Sequence, residues 1–148
     1  MSKNAPVPYR GSSPDSKPLR VLVYGAGAIG TYIGGSLALG GHHVVFLETP
    51  RTRKIIEATG LRLNIQGRLH LLPKPLLADS LPDAFSFGPF DLTVFALKSF
   101  DTAAALEEMR PYAAQLPSFL CLQNGVENES AIASLLGENR VIAGTVTS

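Results

Sequence analysis

The chain has no tryptophan, one cysteine and few charges, and each scarcity excludes something. The single Cys121 forms no intrachain disulfide and supplies no thiol cluster for a metal, which fits a reducing compartment. Charged residues make up 17% of the sequence, below the ~25% usual for globular chains. With 13 Lys and Arg against 12 Asp and Glu, a net charge of +1 leaves no electrostatic footprint for nucleic acid. Long apolar runs are missing as well. The best candidate, residues 28–39, stops at Gly40-Gly41, well short of the ~20 residues a bilayer-spanning helix needs. The expectation is a cytoplasmic chain with neither membrane nor nucleic acid as partner.

What is present fills one domain. The chain has 148 residues, 45% of them hydrophobic, which is enough for a real core. Residues 1–18 stand apart. They hold four of the eleven prolines and almost nothing apolar, so burial there cannot offset the entropy of ordering. They read as a disordered leader without the apolar centre of a secretory signal. Residues 19–148 are then expected to form a single folded unit.

Within that unit the hydrophobic period switches repeatedly. Residues 19–24 (LRVLVY) are a short, β-branched run of the kind buried on both faces of a sheet. GAGAIG follows at once and opens a proline-free helical stretch over 28–39. A strand over 44–47, a helix over 50–58 and a hairpin of 61–65 with 69–72, turning at Gln66-Gly67, come next. Prolines at 73, 75, 82 and 89 predict an irregular connection. Beyond it the pattern gives a strand over 91–97, a helix over 102–109 ended by Pro111, a strand over 118–122, a helix over 127–136 and a last apolar run over 140–146. Strands alternating with helices predict an α/β fold of Rossmann type, an open, mostly parallel sheet with helices on both faces.

Gly25, Gly27 and Gly30 fit G-x-G-x-x-G, a weak pattern alone and a stronger one directly after a buried strand and before a helix. In that setting Gly25 permits the turn, Gly27 lets backbone approach a pyrophosphate and Gly30 allows close helix-to-strand packing. Ala26, Ala28 and Ile29 complete the loop, whose amides face phosphates at the positive end of the helix dipole. The plainer alternative is that all three glycines serve only the turn and its packing.

A ribose ligand is expected where the second strand ends. Glu48 stands there, a carboxylate suited to both ribose hydroxyls and repulsive to a 2′-phosphate. Thr49 follows, then Arg51, Arg53 and Lys54, and arginine at this point is the usual acceptor of that phosphate. The two signals oppose each other. Lys98 closes DLTVFALK at a strand end, where it either reaches a ligand or extends to water. Asn124 and Gly125 follow FLCL and read equally as a turn or as a ligand contact. Glu107 and Glu108 are expected to face solvent. No set of histidines, carboxylates or thiols has metal-ligand spacing.

GAGAIG, the GGH turn, FALKSFDT, CLQNGVENE and RVIAGTVTS together resemble, in order and spacing, the amino-terminal domain of the 2-dehydropantoate 2-reductases, or ketopantoate reductases. The resemblance covers about residues 20–148. It implies a pyridine-nucleotide reductase that delivers hydride to a small 2-keto acid, giving a 2-hydroxy acid, with a place in pantothenate biosynthesis. It implies further that Lys98 contacts the cofactor and that Asn124 sits near nicotinamide and substrate. The family's catalytic lysine and substrate-binding glutamate belong to a helical carboxyl-terminal domain that is not in these residues. No catalytic residue is therefore expected in this chain, which alone would be inactive. Where the family commonly has an arginine for the 2′-phosphate, this sequence has Thr49 preceded by Glu48, so NADP or NAD is expected with NAD slightly favoured. A stand-alone nucleotide-binding or regulatory module remains the alternative.

Overall fold

The computed structural model describes residues 17–25, 27–96, 102–122 and 126–143. Residues 1–16 of the expected 1–18 leader, and Ala26, Lys98, Asn124 and Gly125, therefore lie outside the described residues.

Six strands form one parallel sheet: β1 (Arg20–Tyr24), β2 (His43–Leu47), β5 (Leu76–Ala78), β6 (Leu92–Phe95), β7 (Ser118–Cys121) and β8 (Val141–Ala143). Their order is β5-β2-β1-β6-β7-β8. Chain order thus reverses between β1 and β6, and at that reversal a doubly wound sheet leaves a crevice outside its carboxyl ends. A separate antiparallel hairpin joins β3 (Leu61–Ile65) to β4 (Arg68–Leu72). Its turn has positive φ at both Gln66 (51°) and Gly67 (80°), the geometry of the two-residue turns that match strand twist.

Alternation along β1 divides the core. Val21 and Val23 pack with Val44, Phe46 and Ile56 beneath α1 (Ala28–Leu39) and α2 (Pro50–Thr59). Leu22 and Tyr24 pack on the other face with α3 (Leu81–Phe85), α4 (Thr102–Met109) and α5 (Val126–Leu136), through Leu81, Leu106, Met109 and Ile132. Apolar cover on both faces is why the central strands read as unbroken hydrophobic runs.

Two elements correct the expected layout. The proline-rich connection contains β5 and α3. Pro75 ends before β5 begins, and Pro82 sits in the first turn of α3, where a missing amide costs nothing. The Ser80 hydroxyl caps that helix by accepting from the Asp83 amide at 3.2 Å. α4 ends at Met109 as expected, two residues before Pro111, and residues 110–115 follow it as a 3-10 turn.

Candidate functional site

The glycine turn links the carboxyl end of β1 to α1. Gly25 is buried with φ +99°, a region that penalises any side chain, and its amide donates to Leu47 O at 3.2 Å. A Cβ on Gly30 would stand 2.0 Å from Gly25 O, so only glycine lets α1 come this close to the strand. These two glycines are explained by the fold alone. Gly27 is not. Its φ of −69° suits any residue, and a Cβ there would meet nothing within 4 Å. It occupies the N-cap position of α1 with no side-chain capping bond, and no acid stands in the first turn. Exposed Ala28 and Ile29 follow it. The helix start thus offers amides and positive dipole to an external anion.

A cleft of about 390 Å³ opens beside this turn, with Gly27, Ala28, Thr31 and Tyr32 on the α1 side and Arg62, Leu63 and Asn64 on the β3 side. The hairpin contribution has no local sequence signal, since it depends on where β3 docks against α1.

The end of β2 lies next to the end of β5, where the Glu48 amide donates to Ala78 O at 2.8 Å. Glu48 is half-buried, and its Oε2 lies 3.4 Å from the Thr49 amide. Thr49 is the N-cap of α2, its Oγ1 accepting from the Thr52 amide at 3.2 Å. Arg51 and Lys54 are exposed and make no ion pair among the described residues. Arg53 differs from both. Its Nε meets Glu57 Oε1 at 2.9 Å, and its Nη1 meets Asp83 Oδ2 at 2.9 Å and Asp79 Oδ2 at 3.3 Å. The basic run read as one surface is therefore split, among the described residues, into two exposed cations without an ion pair and one held fast.

Glu108 also corrects an expectation, for it does more than face water. Its Oε2 accepts from the Tyr24 hydroxyl at 2.9 Å, tying α4 to the carboxyl end of β1. Burial first, then the Glu108 charge and hydrogen bond, push the Tyr24 phenol well above its ordinary range. Nothing near Tyr24 in sequence announces a partner 84 residues away. No described helix is long and apolar enough to cross a membrane.

A six-stranded parallel sheet in this order, with a glycine turn at its reversal point, defines a Rossmann-type α/β domain. The ketopantoate reductase PanE/ApbA family matches residues 21–148, and the chain belongs to that family. Among relatives, a 2-dehydropantoate 2-reductase of Pyrococcus horikoshii is 33% identical over 129 residues, covering 87% of this chain and 40% of the relative. The uncharacterized oxidoreductase YkpB of Bacillus subtilis is 27% identical over 127 residues, or 85% of this chain and 40% of the relative. The crystal structure of a PanE/ApbA family ketopantoate reductase from Ralstonia eutropha JMP134 superposes with a TM-score of 0.69 at 36% identity, covering 86% of this chain and 40% of that one. The chain thus spans about 40% of the length of these relatives.

Proposed function

We propose that this chain holds the dinucleotide cofactor of an NAD(P)-dependent oxidoreductase that reduces a 2-keto acid to a 2-hydroxy acid. The observation that supports the reading is the start of α1: packing has no use for a missing side chain at Gly27, the helix carries no side-chain cap and no first-turn acid, and a pyrophosphate laid against it would use both features. The Gly25 to Gly30 turn cradles the two phosphates, with Ala26, Ala28 and Ile29 presenting backbone. Glu48 accepts hydrogen bonds from the adenosine ribose, each charge-assisted bond worth ~1.5 to 3 kcal/mol. It thereby favours NAD over NADP, and Thr49, already used as a helix cap, offers no cation to a 2′-phosphate. Lys98, three residues beyond β6 in the sequence, and Gly125 contribute to cofactor binding, and Asn124 contributes to contact with nicotinamide and substrate. The bound cofactor in its reduced form supplies the hydride. Proton donation and recognition of the keto acid fall to parts of the relatives' length that this chain does not span.

Calorimetric titration with NADH, NADPH, FAD and S-adenosylmethionine tests the reading directly. NADH is expected to bind tightest, and Glu48→Ala is expected to weaken NADH about tenfold while relieving the penalty on NADPH, a change of ~1.4 kcal/mol. Tight FAD or S-adenosylmethionine binding would reassign the site. Dinucleotide binding by a protein that, in its complete form, transfers hydride to no keto acid would favour the regulatory module.

A further inference from the structure

The cation cluster on α2 carries a second message about cofactor choice, and it rests on the dinucleotide reading above. Arg53 is the only one of the three basic residues at the start of α2 whose charge is partly withdrawn from water, its side chain being 31% exposed. Three carboxylates surround it: Glu57 one turn further along α2, Asp79 in the connection just past β5, and Asp83 in the first turn of α3. Asp83 is itself fixed, because the Asp79 amide donates to the same Oδ2 at 3.2 Å. The assembly is net anionic and lies beside Glu48, since β2 and β5 end side by side.

We propose that Asp79 and Asp83 are specificity-determining residues that hold Arg53 against α3 and so deny it to a 2′-phosphate. Arg51 and Lys54 are exposed, so their attraction for a phosphate is screened by water and salt. Arg53 has the forked geometry that grips phosphate in two places, but both its Nε and its Nη1 are already engaged by carboxylates. Its two aspartate partners also add negative charge close to the paired ends of β2 and β5, where Glu48 stands. Cofactor preference is thus set twice, by the carboxylate of Glu48 and by the sequestration of Arg53.

The test is the ratio of NADPH to NADH dissociation constants in the double variant Asp79→Asn/Asp83→Asn. Removing both charges without changing side-chain size is expected to lower that ratio about tenfold, mainly through tighter NADPH binding. Adding Arg53→Ala is expected to abolish the gain. Asp79→Asn alone removes only the longer 3.3 Å pair and leaves the α3 cap intact, so it should shift the ratio in the same direction by a few-fold even if the double variant folds poorly. A ratio unmoved in Asp79→Asn and in a folded double variant overturns the proposal, as does a gain that persists without Arg53. If the unsubstituted protein binds neither nucleotide, the dinucleotide reading itself fails; if it binds and the ratio does not move, only the role of the aspartates fails.

Discussion

At the amino ends of β1, β2 and β6 several polar groups are satisfied by bonds between loops and strands, whereas at the carboxyl end of β1 the helix that follows starts without a side-chain cap. On the amino side, Arg20 donates through Nε to Pro89 O at 3.0 Å and through Nη2 to Phe87 O, while its amide donates to Asp91 Oδ2 at 2.8 Å. His42 Nδ1 accepts from the Leu19 amide at 2.9 Å. Gly88, at φ +101°, lets the loop pass under the Arg20 guanidinium, which a Cβ would approach to 2.9 Å. Across the sheet, α1 begins at an uncapped glycine beside a cleft. Among the described residues one end is closed by internal bonds and the other carries an uncapped helix start beside a cleft, the asymmetry expected of a doubly wound sheet, in which ligands bind outside the carboxyl ends.

The sharpest way to break this comparison is at two glycines three residues apart. Gly30→Ala forces a Cβ to 2.0 Å from Gly25 O, a contact with backbone that no rotamer relieves, and is expected to cost about 3 kcal/mol or more in thermal or urea unfolding. Gly27→Ala meets nothing within 4 Å and should cost at most about 1 kcal/mol, the difference between glycine and alanine at a helix N-cap, yet lower dinucleotide affinity about tenfold. Equal stability losses in the two variants would show that Gly27 also serves the fold. At the closed end, Arg20→Ala removes two charge-assisted bonds to loop carbonyls and is expected to cost about 2 kcal/mol without altering affinity per folded molecule. An affinity loss at that position would erase the distinction between the two ends.

These contrasts also mark what was legible beforehand. The extent of α1 was written in residues 28–39 because a glycine pair stops it, and the hairpin because Gln66-Gly67 supplies the positive φ that its turn needs. Both are local signals. The strand and helix within the proline-rich stretch were also local, but misread: Ser80 followed by Pro82 and Asp83 is a helix start, with cap, early proline and first-turn acid in place. The proline count hid it. Arg53 and Glu108 belong to another category. Each looks like one charge on a solvated helix face, and the partners that change its meaning come from β5, α3 or β1. No window of sequence contains both halves of such a pair, so their roles became visible only once the sheet order had set those elements side by side.

Tyr24 sharpens the comparison most gently, because its hydroxyl sits at the open end and is nevertheless satisfied by Glu108. Tyr24→Phe keeps the ring packed near Phe95, at a centroid distance of 5.7 Å, and removes one hydrogen bond, so a loss of about 1 kcal/mol is expected at neutral pH. Its pH dependence carries more information. The phenol's ordinary value is 10.0, and the folded chain holds its proton above that by burial and by the Glu108 carboxylate. As pH rises past 10 the unfolded chain releases this proton first, so the folded state binds more protons and stability falls, by at most ~1.4 kcal/mol per unit. Below that window the contribution is complete. Urea unfolding of both proteins at pH 8 to about 11 checks the sign: the unsubstituted chain should lose stability more steeply than Tyr24→Phe, so that the gap between them narrows. Parallel declines would mean that another group titrates, and that the Tyr24 to Glu108 bond does not fasten α4 to the carboxyl end of β1.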